Sequence, residues 1–252
     1  MNRLHFALLG KSLSHSFSKQ YFEAKFKSLG LEGYDYSLLE TPNLDNLHTL
    51  IISHSLTGFN VTIPYKKEII PLLDEIDPVA KEIGAVNTVK VILSSGRPNL
   101  KGFNTDAPAF LQTLKPHITP HHRHALVLGT GGAAQAVAWA LRKLDIDHTF
   151  VSRNPKQHHN SVGYDDIVKM RQSDFGHTII VNTTPVGMYP IVDASPWPNP
   201  DLITADTICY DLIYNPSPTL FLKVASAQGA VTINGLDMLH LQADMAFSII
   251  MQ

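Results

Sequence analysis

Apolar and polar positions in the first part of the chain alternate between short apolar runs and longer amphipathic stretches. Runs of strand length occur at 4–9, in YDYSLL (34–39) and in GFNVT (58–62), and helical spacing fills the intervals near 18–29 and 44–53. Strand-length runs that alternate with helical intervals predict β/α units and a mostly parallel sheet.

The next segments carry clear start and stop signals. Helical residues follow Pro64 and predict a helix to about Leu73. In DPVAKEIG, Asp77 suits an N-cap, Pro78 a first helical position and Gly84 a helix stop. The runs VNTVKVIL and LKGFN flank the turn-rich SSGRPN, which predicts a β-hairpin.

A second β/α series occupies the other half of the chain. Its apolar runs lie in HALVL, HTFVS, HTIIVN, TICYDLI and GAVTI, and the pattern predicts a separate nucleotide-binding unit. The final helix, about 236–251, places Leu239, Ala243, Ala246 and Ile250 on one apolar stripe.

Composition excludes several classes of protein. The 252 residues suit one large domain or two modest ones. With 44% hydrophobic residues, 17% charged residues and a formal charge of -2, the chain lacks the features of disorder or of a polyanion-binding surface. The N-terminal apolar run is too short for a signal peptide, and no stretch approaches the roughly 20 apolar residues of a membrane span. We therefore expect a soluble, cytoplasmic protein with neither nucleic acid nor membrane as a partner.

Cysteine and histidine usage predicts no metal site. The single cysteine, Cys209, lies in an apolar run, so we expect a buried thiol and no internal disulfide. Thirteen histidines occur without an H-E-x-x-H pattern or a Cys/His pairing. The HHRH stretch at 121–124 is predicted to be a surface cluster in the loop before a strand.

A glycine-rich loop carries the first candidate chemistry. VLGTGGAAQA matches G-x-G-x-x-A through Gly129, Gly131 and Ala134, between an apolar run and an alanine-rich helix. Such glycines let backbone N–H groups approach a pyrophosphate at the helix N-terminus, which favours dinucleotide binding. The alternative is a glycine turn that only packs the helix on the strand.

The following strand ends in FVSRN, where an NAD-binding unit usually offers a carboxylate to the ribose hydroxyls. Arg153 instead offers a planar, permanently charged side chain suited to a 2′-phosphate, so the sequence predicts NADP(H) as the cofactor. The alternative is a solvated loop arginine.

Two lysines, Lys66 and Lys67, fall in the first turn of the helix after Pro64. The positive end of the helix dipole disfavours cations there by a few tenths of a kcal/mol. Residues that break a local rule are candidates for function, although solvated surface lysines are the simpler alternative.

Eight ordered stretches together resemble the shikimate dehydrogenase family. They are SHSFS (14–18), GFNVTIPYKK (58–67), GAVNT (84–88), GFNTD (102–106), GTGGAA (129–134), NTTPVGM (182–188), DLIYNP (211–216) and NGLDMLHLQ (234–242). The resemblance implies an α/β fold with two domains, in which a mixed α/β substrate domain (1–105 and 232–252) is joined to a Rossmann-type, doubly wound NADP-binding domain (106–231). It also implies that the C-terminal helix returns to the first domain.

The resemblance implies NADPH-dependent reduction of 3-dehydroshikimate in aromatic amino-acid and chorismate biosynthesis, with a role for each matching residue. Lys66 and Asp106 would be catalytic. The substrate would be bound by Ser16, Ser18, Thr62, Asn87, Asp106, Tyr214 and Gln242. The cofactor would be bound by Gly129, Thr130, Gly131, Gly132, Ala133, Ser152, Arg153, Thr183, Gly235 and Met238. A lysine at the reacting oxygen stabilises the charge that hydride transfer builds there and delivers the proton.

Each of these residues also has a structural alternative when it is taken singly. Asp106 could complement a helix N-terminus, Asn87 could cap a turn, the serines could be helix-entry residues, Gln242 could face solvent and Met238 could fill the core. His15, between the serines, is expected to pack or to hydrogen bond rather than to catalyse. The rival functions are a quinate or dual quinate/shikimate dehydrogenase and a sensor that binds without turnover. The sequence leaves open a monomer or a homodimer.

Overall fold

The computed structural model describes residues 4–13, 16–93, 97–172 and 176–252. The chain forms two units, which are described separately. Unit 1 comprises residues 1–106 with 240–252, and unit 2 comprises residues 107–239. The domain boundaries implied by the resemblance stay a prediction.

The helices and strands of unit 1 follow the predicted alternation. They are β1 (Leu4–Gly10), α1 (Ser18–Ser28), β2 (Tyr34–Glu40), α2 (Leu47–Ser53), β3 (Leu56–Val61), α3 (Tyr65–Glu68), β4 (Glu75–Ile76), α4 (Pro78–Ile83), β5 (Thr88–Leu93) and β6 (Pro98–Phe103). Helix α5 (Asp106–Leu114) begins at the last residue of this part of unit 1.

Within the described residues, the sheet of unit 1 has the order β2-β1-β3-β5-β6-β4. Strand β1 is parallel to β2 and β3, and β4 is parallel to β6. The predicted hairpin of β5 and β6 is confirmed and supplies the antiparallel pairs, since β5 runs against both β3 and β6. Consequently the carboxyl ends of β1, β3 and β6 lie at the same edge of the sheet as the start of β5.

Each face of this sheet packs a separate core. One face carries Ala7, Leu9, Phe59 and Val61 and packs against Ile51 of α2, among others. The opposite face carries Phe6, Leu8 and Tyr36 and packs against α1 and the C-terminal helix. The C-terminal helix approaches β3 closely because Gly58 has no side chain, since a Cβ there would lie 2.5 Å from Ile250.

The predicted signals of α4 are confirmed. The Asp77 carboxylate accepts a hydrogen bond from the Val79 N–H, Pro78 is the first helical residue, and Gly84 ends the helix with a φ of 70°. The helix predicted from Pro64 to about Leu73 was wrong in length. It stops at Glu68, and a 3-10 turn over Ile70–Leu72 follows, because Pro71 lacks an N–H and its ring clashes with the preceding turn.

Unit 2 contains the second β/α series. Its elements are β7 (His124–Leu128), α6 (Gly132–Lys143), β8 (Asp147–Ser152), β9 (Ser161–Gly163), α7 (Tyr164–Val168), β10 (Ile179–Asn182), β11 (Ile208–Asp211), α8 (Leu220–Ala227) and β12 (Val231–Ile233). Helix α9 (Leu236–Met251) begins in unit 2 and ends in unit 1.

In the part of unit 2 that the structure describes, all strand pairs are parallel, in the order β12-β11-β10-β7-β8-β9. Helices cover both faces. Phe110 of α5 contacts Tyr210 on one face, with ring centroids 4.8 Å apart, and Phe221 of α8 packs with Cys209 on the other. This is a doubly wound sheet, as the sequence predicted.

Two predictions about single residues have different outcomes. Cys209 is fully buried, as expected, and burial raises the pKa of its thiol. The surface cluster predicted at 121–124 was wrong for His122, which is buried with its Nδ1 2.9 Å from the Thr119 hydroxyl. None of the helices among the described residues combines the length and apolar character needed to cross a bilayer.

Candidate active site

A buried ion pair joins Lys66 and Asp106. Lys66 lies in α3, shortly after β3 ends, and Asp106 is the first residue of α5, shortly after β6 ends. The Lys66 Nζ donates a hydrogen bond of 2.7 Å to Asp106 Oδ2, and the two side chains are only 15% and 8% exposed. The carboxylate therefore compensates the cation that the helix dipole disfavours.

Backbone hydrogen bonds place Asn87 beside this pair. The Val86 N–H donates to the Lys66 carbonyl at 2.7 Å, and the Asn87 N–H donates to the Phe103 carbonyl at 3.0 Å. The Asn87 side chain then donates from Nδ2 to Asp106 Oδ1 at 2.8 Å. Asp106 thus accepts from Lys66 on one carboxylate oxygen and from Asn87 on the other.

Gln242 reaches the same cluster from α9. Its Oε1 lies 3.4 Å from Asn87 Nδ2 and 3.5 Å from the Thr105 hydroxyl. Two residues further along α9, Asp244 accepts hydrogen bonds from the Tyr21 hydroxyl at 2.7 Å and from Lys25. These contacts attach α9 to α1 and hold Gln242 over the cluster.

The remaining predicted residues of unit 1 lie in the segments that follow β1 and β3, at the same sheet edge. Ser16 and Ser18 follow β1, and Thr62 follows β3; all three are half-buried. The Ser18 N–H donates to Ser16 Oγ at 3.2 Å as α1 begins. Ligands of α/β sheets bind at the carboxyl ends of parallel strands, so this edge is the expected place for a site. Ser14 and His15 lie outside the described residues.

Sequence reasoning missed several buried polar residues next to the ion pair. Thr105 donates from its N–H to Asn87 Oδ1 at 2.8 Å, and Asn60, Thr88 and Tyr36 extend the hydrogen-bonded network away from Asn87. The available signal was a polar residue inside an otherwise apolar strand, as Asn60 is in GFNVT.

In unit 2, the glycine loop has the geometry of an anion site. Gly129 has a φ of 104°, which disfavours any other residue, and Gly131 precedes the first residue of α6. No side chain caps α6, and no acidic residue lies in its first turn. Its first N–H groups, at Gly131, Gly132 and Ala133, therefore suit a phosphate. A Cβ on Gly131 would point into open space, whereas one on Gly129 would lie 2.9 Å from the Thr183 hydroxyl.

Four further predicted residues lie in this loop or near it. The Thr183 hydroxyl donates to the Leu128 carbonyl at 2.6 Å, and the Thr130 hydroxyl lies 3.2 Å from His158 Nε2. Ser152 is buried at the end of β8 and accepts from the Asn154 N–H, while Arg153 is exposed next to it. These donors and this cation fit a phosphorylated dinucleotide.

The last three predicted residues also belong to unit 2. Gly235 is buried and donates to the Ile213 carbonyl at 3.2 Å; a Cβ there would lie 2.1 Å from the Leu212 carbonyl oxygen, so glycine is required. Met238 is buried in the first turns of α9, and Tyr214 is half-buried after β11. The structure places Tyr214 outside the unit that holds Lys66 and Asp106, and its contact with substrate stays a prediction.

A Rossmann-type parallel sheet with a glycine loop, together with a mixed α/β unit that holds a buried lysine–aspartate pair, is the architecture of a two-domain nicotinamide-dependent dehydrogenase. Comparison with known proteins identifies the family within this class. Residues 8–89 match the family described as the shikimate dehydrogenase substrate binding domain. The shikimate dehydrogenase (NADP(+)) of Carboxydothermus hydrogenoformans is 37% identical over 254 residues, covering 95% of this chain and 89% of that protein.

Solved structures agree with this assignment. Shikimate dehydrogenase 1 from Peptoclostridium difficile has a TM-score of 0.85 at 36% identity, covering 98% of this chain and 91% of that one. The Thermus thermophilus shikimate 5-dehydrogenase, in complex with NADP(H) and shikimate, has a TM-score of 0.81 at 36% identity, covering 98% and 93%. The chain belongs to the shikimate dehydrogenase family.

Proposed function

We propose that the chain catalyses the reversible NADPH-dependent reduction of 3-dehydroshikimate to shikimate, in the biosynthesis of chorismate and the aromatic amino acids, with Lys66 as the acid/base. It is an oxidoreductase with NADP(H) as its cofactor. The observation that carries the proposal is the buried Lys66–Asp106 pair, with Asn87 and Gln242 against it.

The polar groups of this cluster match a small, hydroxylated acid. Asp106 accepts, Lys66 donates, and the amides of Asn87 and Gln242 can do both, so ring hydroxyls find partners of either kind. Thr62, Ser16 and Ser18 add short hydroxyl side chains, of which the two serines are assigned to the substrate carboxylate. Tyr214 is assigned to the same carboxylate.

Proton transfer is assigned to Lys66. NADPH, when bound, supplies the hydride to the carbonyl carbon of the substrate. The Lys66 ammonium group stabilises the negative charge that develops on the carbonyl oxygen and gives its proton to that oxygen. Asp106 holds the ammonium group in place through the hydrogen bond to Oδ2, and in shikimate oxidation the neutral amine takes the proton back.

The cofactor is assigned to unit 2. The N–H groups at the start of α6, with Gly129 and Thr130, would hold the pyrophosphate, and Arg153 with Ser152 would hold the 2′-phosphate. Thr183, Gly235 and Met238 are assigned to the nicotinamide half. We accordingly propose an NADP-binding domain (106–231), most of which lies in unit 2, and a substrate domain (1–105 and 232–252), most of which lies in unit 1. We also propose a cytoplasmic monomer or homodimer.

Initial rates followed by nicotinamide absorbance test the function. The purified protein is assayed with shikimate or quinate, each combined with NADP or NAD. Turnover with shikimate and NADP, well above the other three combinations, is the expected result. Faster turnover of quinate than of shikimate would assign quinate as the substrate instead. Binding of shikimate by calorimetry without turnover in any combination would leave a ligand sensor.

A further inference from the structure

Three polar side chains are buried on one face of the unit 1 sheet without a role in the proposed reaction. Tyr36 of β2, Asn60 of β3 and Thr88 of β5 are 2%, 6% and 0% exposed. Asn60 and Thr88 are directly paired across β3 and β5. A buried polar group is costly unless it is hydrogen bonded, so these residues need partners.

Their hydrogen bonds form one continuous chain that ends at the ion pair. The Tyr36 hydroxyl donates to Asn60 Oδ1 at 2.9 Å. Asn60 Nδ2 donates to the Thr88 hydroxyl at 3.2 Å, and that hydroxyl donates to Asn87 Oδ1 at 3.3 Å. Asn87 Nδ2 then donates to Asp106 Oδ1 at 2.8 Å, and Lys66 holds the other oxygen of Asp106.

The chemistry of the last member sets the direction of the whole chain. An ionised carboxylate only accepts hydrogen bonds, so the amide of Asn87 must turn its NH2 group to Asp106. Its oxygen then points to Thr88 and to the Thr105 N–H, which donates to it at 2.8 Å. The hydroxyl groups of Tyr36 and Thr88 each have one proton, and each donates it to the next residue in the direction of Asp106: Tyr36 to Asn60, and Thr88 to Asn87.

We infer that Tyr36 and Thr88 are positioning residues for the Lys66–Asp106 pair. The Thr88 hydroxyl directly, and the Tyr36 hydroxyl through Asn60 and Thr88, hold the Asn87 amide in the orientation that donates to Asp106. The inference rests on the proposed function. If the Asn87 amide were reversed, its oxygen would face the Asp106 carboxylate. The repulsion between the oxygens would displace Asp106 from its hydrogen bond with Lys66. Loss of either hydroxyl therefore lowers turnover more than it weakens substrate binding.

The test uses hydroxyl deletions that keep the shape of each side chain. Tyr36→Phe removes one oxygen and retains the ring that stacks on Phe22, with centroids 4.3 Å apart. Thr88→Val removes the hydroxyl of Thr88, and Thr88→Ser restores it without the methyl group. Tyr34→Phe is the matched control, because Tyr34 lies two residues from Tyr36 on the same strand and takes no part in the hydrogen bonds that link Tyr36 to Asp106. The double variant Tyr36→Phe/Thr88→Val completes a cycle.

The readouts are kcat and KM for shikimate and for NADP, the pH profile of kcat, and the thermal unfolding midpoint. We expect kcat to fall by up to about tenfold in Tyr36→Phe and in Thr88→Val, because a hydrogen bond between neutral groups contributes about that much. The pH profile shifts in both variants, and KM for NADP is unchanged. Thr88→Ser and Tyr34→Phe retain wild-type kcat. The double variant is hardly slower than either single variant, because either change breaks the same chain.

Three results would overturn the inference. One is retention of kcat in both hydroxyl deletions. Another is a loss of kcat that Thr88→Ser shares with Thr88→Val, which would assign the effect to packing. The third is strict additivity in the double variant. If one deletion fails to fold, the other, compared with its control, still decides. The wild-type assay separates the two proposals, since an inactive wild-type protein refutes the function itself, whereas an active one with indifferent variants refutes only this inference.

Discussion

Lys66 and Asp106 are 40 positions apart in the chain, and the Lys66 ammonium group lies 2.7 Å from one oxygen of the Asp106 carboxylate. Lys66 is the second residue of α3 and Asp106 the first residue of α5; each helix begins a few residues after a strand, and β3 and β6 run in the same direction in the sheet. The sheet therefore brings the two residues to one edge. Burial of both side chains makes this pair the centre of the proposed chemistry.

Arg153 is expected to select the phosphorylated cofactor. Replacing it with Gln removes the permanent charge and leaves a shorter polar side chain. We predict that NADP affinity falls about tenfold, since hydrogen bonds to charged groups contribute about 1.5–3 kcal/mol, while NAD affinity hardly changes. Calorimetric titration with both dinucleotides measures this. Equal losses for NADP and NAD would show that Arg153 does not contact the 2′-phosphate.

Gly129 and Gly131 are predicted to respond differently to a Cβ. In Gly129→Ala, a φ of 104° and a contact of 2.9 Å with the Thr183 hydroxyl strain the loop, so the unfolding free energy should fall by about 1–3 kcal/mol. In Gly131→Ala, φ is -73° and the new methyl group enters open space, so stability is kept and NADP affinity falls. Chemical denaturation and calorimetry separate the two effects. A stable Gly129→Ala protein would contradict the strain argument.

Stability should depend on pH through His122. Burial, with a smaller effect of the His177 charge, lowers the pKa of His122 from 6.5. The unfolded chain then binds this proton more readily than the folded chain, so the contribution of His122 is complete above about pH 6.5 and is lost as pH falls through the lowered pKa. The dependence of the unfolding midpoint on pH, measured between pH 5 and pH 7.5, should be weaker in His122→Gln than in the wild-type protein. The exposed His117, changed to Gln, should leave the slope unaltered; equal slopes in wild type and His122→Gln would refute the effect.

Much of the fold follows from local signals in the sequence. The caps of α4, the hairpin of β5 and β6 and the extent of α9 depend on nearby residues, and all three were predicted. The short α3 was not, because the effect of Pro71 on the preceding turn outweighed helical spacing. Strand β4, only two residues long, carries too little pattern to identify.

The candidate site was predictable only in part, for a physical reason. Lys66 was singled out as a cation in the first turn of a helix, whereas Asp106 was assigned only through the family resemblance. Tyr36, Asn60 and Thr88 each look like ordinary strand residues, and strand register alone brings them into one hydrogen-bonded chain. His122 was likewise predicted to belong to a surface cluster, whereas the structure buries it.

The most direct measurement is the steady-state kinetics of Lys66→Ala with shikimate and NADP, beside wild type and the neighbouring control Lys67→Ala. General acid–base groups contribute about 10²–10⁴-fold, so kcat should fall by that factor in Lys66→Ala while KM for shikimate changes little, and Lys67→Ala should stay close to wild type. Retention of kcat in Lys66→Ala, or a loss confined to KM, would contradict the assignment of Lys66 as the proton donor.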